Sequence, residues 1–433
     1  MNKQILKLAI PNIISNITVP MLGMVDLAIM GRLGSELYIG AIALGGTIFN
    51  FIYAVFSFLR MGTSGFTAQA YGADNSKESI LMMGRSIFFA IAGGILIILL
   101  QYPIDILSFS LLNGSTDVEV LAREYFYIRI YAAPASLGIL AMSGWFIGMQ
   151  NSRYPMFVAI FINVVNILAN VFFVYGLHMK SDGVALGTVI AQYLGFILAT
   201  ILFYKKYRHL LAFWEQAEFF NLSKLKRFFK VNTDIIIRTL CLIFTLAFFT
   251  AQSAKMNDTI LAVNTVLLQY FFVFSYLTDG FAYAAESLVG RYIGAKDQPN
   301  LKKSIRLLFI WGIIISIPFT LIYVFGGDVM LRLLTNNNEV IIASKPYLIW
   351  IGLVPLITFA AFIWDGIYIG ATASAPMRNT LLLSTFLVFL PAFYLLINPL
   401  GNHGLWLALL LFMFSRGVFL TLFAPANIYK INS

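Results

Sequence analysis

Twelve apolar runs of about twenty residues, each closed by a short polar break, limit this chain to few folds. They lie near 10–31, 38–60, 80–101, 122–148, 155–176, 184–204, 232–254, 259–285, 305–326, 343–370, 379–398 and 404–425. At a rise of about 1.5 Å per residue, each is long enough to cross a hydrocarbon layer about 30 Å thick. Inside such a layer every backbone N–H and C=O must be bonded within the protein. A barrel would meet that demand with alternating segments of about ten residues, and these runs do not alternate. The spacing therefore predicts an all-α integral membrane protein with twelve transmembrane helices. Only 11% of the residues are charged, against about 25% in soluble domains. Lys3 and Lys7 precede the first run as in a signal peptide. The run continues past Pro20 with no small-x-small cleavage site, so it reads as a retained helix.

Placement of the basic residues sets the orientation. Nineteen Lys and Arg fall on one side of the predicted membrane, from Lys3 and Lys7 through Lys205–Lys230 to Arg378 and Lys430. Six fall on the other: Arg32, Arg123, Lys180, Lys255, Arg332 and Lys345. The positive-inside rule then places both termini and the central connector in the cytoplasm, and the protein in the inner (plasma) membrane. The net charge of +10 is spread over loops without a basic domain, so no nucleic-acid partner is expected; membrane lipids are. The connector's basic run, with Phe213, Trp214, Phe219 and Phe220, fits either the anionic inner leaflet or a solvated linker. Cys241 is the single cysteine, so no internal disulfide forms. The three histidines (His178, His209, His403) are scattered, and no metal site or cofactor follows from them.

The two halves repeat. Gly72 and Gly294 sit in similar tetrapeptides at an offset of 294 − 72 = 222. Pro155 and Pro376 lie in matching Pro-Met pairs at 376 − 155 = 221, and Gly183 matches Gly404 at 404 − 183 = 221. Six spans per half is an even number, so the repeats insert in parallel, related by an axis along the membrane normal. The expected organisation is an N-terminal six-helix lobe at 1–210, a cytoplasmic connector at 211–231 and a C-terminal six-helix lobe at 232–433. Paired bundles around a cavity suit alternating access by a monomer acting on small molecules. No His/Asp/Glu cluster at one membrane face supports an enzyme.

Asp26 stands out because no other charge occurs between Lys7 and Arg32. A carboxylate at mid-membrane costs about 2.5–3.5 kcal/mol on insertion scales, so it is expected to face a polar cavity. Asn163, Asn166 and Asn170 fall at i, i+3 and i+7 on one face of the fifth run. Such a stripe bonds across helices or lines a hydrophilic pocket. Thr188 in the sixth run adds a hydroxyl. Asp26, Asn166, Asn170 and Thr188 are the candidate cation or proton site, and Asn163, Asp279, Glu286 and Asp365 are candidates for a substrate cavity. Asp234 and Arg238, four apart on one helix, are expected to neutralise each other. Arg60 is expected to snorkel to the surface, and Arg129 and Arg416 are further partners for the buried carboxylates.

The stretches Asp26–Gly31 and Leu59–Ala73, with Asp279-Gly280-Phe281-Ala282-Tyr283-Ala284-Ala285-Glu286 and Asp365-Gly366-Ile367-Tyr368-Ile369-Gly370, resemble the multidrug and toxic compound extrusion (MATE) family, and most closely its DinF-like branch. Ala132–Ser136, Gly144–Gly148 and Asn402–Leu409 extend the likeness over nearly the whole chain. The resemblance implies two lobes in a V around a cleft. It also implies export of amphipathic, often cationic compounds by antiport, with Asp26 as the coupling carboxylate. The family's fifth-helix pattern, Asn-x-x-x-Asp followed by a Thr in the sixth helix, reads here Asn166-Ile167-Leu168-Ala169-Asn170 with Thr188. An amide at 170 removes one charge, so H⁺ is expected over Na⁺ as the coupling ion, with Na⁺ at these same four residues the other choice. A flippase for lipid-linked precursors is the alternative function, but it calls for a cationic cavity, and these spans hold at least as many carboxylates as arginines.

Overall fold

The computed structural model describes residues 1–31, 36–112 and 115–430, without the side chains of Val19, Leu22, Leu27 and Met30. Arg32, counted above for orientation, lies outside them. Among the described residues all regular elements are helical, and twelve helices are long and apolar enough to cross a membrane. They are α1 (Asn2–Asp26, its helix continuing to Gly31), α2 (Glu36–Gly72), α3 (Ser76–Leu99), α4 (Thr116–Gly148), α5 (Arg153–Gly176) and α6 (Ser181–Phe213). Then follow α7 (Gln216–Met256), α8 (Asp258–Gly294), α9 (Gln298–Phe325), α10 (Asn338–Gly370), α11 (Ser374–Leu400) and α12 (Asn402–Tyr429). The chain is a multi-pass membrane protein.

The C-terminal ends of α2 and α8 run well past their apolar runs. The run near 38–60 stops 72 − 60 = 12 residues before α2 does, and the run near 259–285 stops 294 − 285 = 9 residues before the end of α8. The extra turns carry Thr63, Ser64 and Thr67 in one case and Glu286 and Ser287 in the other, all buried. Hydropathy marks contact with lipid; these turns face protein and need no apolar surface.

The chain forms two compact units, one from Ile14 to Leu225 and one from Met1–Ile13 with the described residues from Lys226 onward. Each is built around the same helix crossing. Lipid tails are as apolar as the helices, so helix association depends on close packing and polar contacts, which favours small interface residues. In the first unit a Cβ at Gly144 would lie 2.2 Å from the Arg60 carbonyl, and one at Gly148 would lie 2.8 Å from the Ser64 carbonyl. In the second, a Cβ at Gly366 would lie 2.1 Å from the Ala282 carbonyl, and one at Gly370 would lie 2.5 Å from the Glu286 carbonyl. All four residue pairs repeat at one offset, 366 − 144 = 282 − 60 = 370 − 148 = 286 − 64 = 222. The turns repeat too. Asp74 and Lys296 close their helices at φ of 51° and 55°, and Gln150 and Thr372 do so at 59° and 53°, a left-handed end common at helix C-termini. Asn75 caps α3 through the Glu78 N–H at 2.9 Å, and Asp297 caps α9 through the Asn300 N–H at 3.1 Å. The sequence offset is therefore a repeat of crossings and caps, which only small or turn-forming residues satisfy.

Aromatic packing fills both units. Trp145 stands edge-on to Phe203 and Tyr207, with ring centroids 5.4 and 4.9 Å away, and donates to the Ser79 carbonyl at 2.9 Å. In the other unit Trp406 packs on Phe249 at 5.0 Å and donates to Asn264 Oδ1 at 2.8 Å. Asn264 and Asn402 exchange hydrogen bonds of 2.7 and 2.9 Å.

Part of the connector is docked. Arg85, fully buried in α3, donates from Nε to the Phe219 carbonyl at 3.0 Å and from Nη1 to Glu78 at 2.9 Å. Lys224 Nζ lies 2.7 Å from Glu78 and 3.0 Å from Glu218. Trp214 packs where Gly84 has no side chain; a Cβ there would meet its ring at 2.5 Å.

Candidate functional site

Asp26, Asn166, Asn170 and Thr188, from α1, α5 and α6, form one buried chain of hydrogen bonds. Asn170 Nδ2 donates to Asp26 Oδ1 at 2.7 Å and to Asn166 Oδ1 at 2.9 Å. Asn166 Nδ2 donates in turn to Thr188 Oγ1 at 3.0 Å, and that hydroxyl donates to the Val184 carbonyl at 3.0 Å. The direction of the Asn170 amide follows from its neighbours: two acceptor oxygens face one atom, so that atom is the nitrogen. Arg129 of α4 lies within electrostatic reach of Asp26; it donates to the Tyr125 hydroxyl and rests over the Phe49 ring at 4.8 Å. The pocket thus offers Asp26 one short hydrogen bond, amide dipoles and a nearby cation.

Gly187 is a member of this site that the spacing argument did not single out. A Cβ on it would lie 2.1 Å from Asn170 Oδ1 and 3.3 Å from Asn170 Cγ. Asn170 Oδ1 has no hydrogen-bond partner among the described residues and fills the space that the glycine leaves. Gly187 therefore fixes which way the amide points, and its place directly before Thr188 was the available signal. Gly187→Ala is expected to displace the Asn170 side chain and lower stability by about 2–4 kcal/mol, from one charged and one neutral hydrogen bond. Thermal unfolding of the purified protein measures this. In an Asn170→Ala background the same change should cost little more, because its victim is already gone.

Asn163 reaches α1 at another level, donating to the Thr18 carbonyl at 2.9 Å. The stripe on α5 therefore meets α1 near both Thr18 and Asp26. Asp279, half-buried, and Glu286, fully buried, lie on α8 in the other unit.

Asp365 of α10 sits between two arginines. Its Oδ2 accepts from Arg238 Nη2 of α7 and, at 2.6 Å, from Arg416 Nη2 of α12, and all three residues are buried. The expected Asp234–Arg238 pair does not form. Asp234 accepts from Arg378 Nη1 at 2.6 Å and Ser374 Oγ at 2.7 Å, both on α11. Spacing of four on a helix permits a pair, but stronger partners on neighbouring helices take each residue instead. Among the described residues no group of three or more His, Cys, Asp or Glu is placed to hold a metal ion.

Comparison with known proteins bears on the family and the fold. The family model for MatE matches residues 11–172 and 235–395, one segment in each half of the chain. DNA damage-inducible protein F of Escherichia coli is 36% identical over 418 residues, 96% of this chain and 90% of that protein. A probable multidrug resistance protein NorM of Thermotoga maritima is 23% identical, covering 97% of this chain and 91% of its own. Among solved structures, the Vibrio cholerae MATE transporter VcmN in its bent form shares the fold with a TM-score of 0.90 at 18% identity, over 99% of this chain and 97% of that one.

Proposed function

We propose that this chain, which belongs to the multidrug and toxic compound extrusion family, is a secondary active efflux transporter that exchanges amphipathic, often cationic compounds for H⁺ by alternating access. It works from the inner membrane with both termini in the cytoplasm. The observation that carries this reading is the buried Asp26 carboxylate held by Asn170 at 2.7 Å. Asp26 is the coupling residue, and Asn166, Asn170 and Thr188 orient it. The donor set favours H⁺ over Na⁺. A hard cation wants converging oxygens, yet Asn170 turns its nitrogen to Asp26 and the Asn166 carbonyl is already occupied by that same nitrogen. A carboxylate that faces amide N–H groups is served well as an anion and, once protonated, needs no second ion.

Efflux by reconstituted protein under imposed gradients tests this. Wild type is expected to respond to a pH gradient and not to a sodium gradient, and Asn170→Asp is expected to gain sodium dependence. Sodium-driven efflux by the wild type overturns the choice of ion. An Asn170→Asp variant without sodium response removes the argument from residue 170.

A further inference from the structure

Several basic side chains near the helix ends have a carboxylate beside them: Arg85 and Lys224 share Glu78, Arg378 holds Asp234, Lys345 meets Asp328. Lys302 and Arg306 do not fit that pattern. They stand four residues apart on the first turns of α9, both exposed. Between them and α10 and α12 runs an open groove of about 330 Å³, with Phe309, Trp364, Thr421 and Tyr429 along its walls. The rings of Phe309 and Trp364 meet edge-on at 5.1 Å. The Trp364 Nε1–H is used up on Thr421 Oγ1 at 2.7 Å, and that hydroxyl donates to the Gly417 carbonyl at 2.7 Å. What remains facing the groove beyond its cationic end is largely apolar.

The walls supply no anion. Neither 298–325 nor 402–429 contains an Asp or Glu. Asp365 of α10 is taken by Arg238 and Arg416, and Glu339 lies 364 − 339 = 25 residues before Trp364. Asp297 caps α9, and the Asn300 side chain and N–H hold its carboxyl below the usual carboxylate range. Among the described residues no carboxylate pairs with either cation, which leaves both open to a partner from outside.

We propose that this groove binds an anionic glycerophospholipid, with the phosphate on Lys302 and Arg306 and an acyl chain along Phe309 and Trp364. The groove runs inward along membrane-crossing helices from a basic end to an aromatic body, which is the polarity of a lipid; a free phosphate would use only the basic end. Cationic side chains at a membrane surface attract anionic headgroups by about 1 kcal/mol each, so losing two should weaken retention roughly 25-fold.

Native mass spectrometry of the full chain, titrated with phosphatidylglycerol or phosphatidylcholine of the same acyl length, tests the site. The wild type should retain phosphatidylglycerol preferentially. Lys302→Gln/Arg306→Gln should lose that preference about 25-fold, while Lys302→Arg/Arg306→Lys and a control pair, Lys205→Gln/Lys206→Gln, should keep it. Both residues are exposed, and circular dichroism verifies that each variant is folded. Unchanged phosphatidylglycerol retention in the Gln pair overturns the proposal. So does equal retention of the two lipids by the wild type, or displacement of the lipid by inorganic phosphate alone.

Discussion

Asp26→Asn is expected to reduce pH-gradient-driven efflux to the level of empty proteoliposomes while leaving the protein folded. The substitution keeps size and shape, and an asparagine oxygen at position 26 can still accept from Asn170 Nδ2, which now lies 2.7 Å from the carboxylate. What disappears is the negative charge and the ability to exchange a proton. A hydrogen bond to a charged group contributes about 1.5–3 kcal/mol and one between neutral groups about 0.5–1.5, so the stability change is about 1 kcal/mol. Removing a desolvated charge works in the opposite direction. Efflux and thermal unfolding are to be measured on the same preparation. Retained gradient-driven efflux with its normal pH dependence would sink the coupling role. A protein that unfolds would instead make Asp26 structural.

The opposite outcome is expected at Asp365→Asn. There the carboxylate is the anion shared by two buried guanidinium groups, and Arg416 is almost wholly shielded from solvent. Neutralising it leaves Arg238 and Arg416, both buried, facing each other across an uncharged amide. Removing one partner of a buried ion pair costs about 3–5 kcal/mol, and two stranded cations place this case at the upper end. The expected result is a large fall in unfolding temperature and poor recovery from membranes. Replacing all three residues together, with Met at 238 and 416 and Leu at 365, should restore much of the stability, because an apolar cluster of similar volume avoids the desolvation cost. A stable Asp365→Asn variant would show that the three residues are not an interdependent ion cluster. The two substitutions remove the same carboxylate oxygen, and the neighbours decide the result: amides tolerate the loss, guanidinium groups do not.

Much of this was legible in the sequence, and its limits are physical. Twelve helices followed from apolar run length, and the stripe of Asn163, Asn166 and Asn170 followed from helical periodicity; the structure sets Asn166 and Asn170 beside Asp26 and Thr188. Both signals are local, carried by one helix at a time. Partner choice is not. Whether Arg238 turns to Asp234 or to Asp365 depends on the rotation and height of α7 against α10 and α11, which no single run encodes. The role of Gly187 escaped for the same reason, since a missing side chain has meaning only against what occupies its space. The docking of the connector through Arg85 was hidden as well, because a basic residue near a helix end reads as a loop charge until its carbonyl partners are seen.

The paired crossings at Gly144 and Gly366 carry a historical implication. A joint in which a carbonyl seats against a glycine is demanding, and finding it twice with the same caps and the same left-handed turns points to a frame made once and copied. The copies then diverged in their polar cargo. One half placed a carboxylate beside an amide; the other placed a carboxylate between arginines. From a duplicated scaffold, one half came to hold the carboxylate proposed for coupling and the other a buried ion cluster.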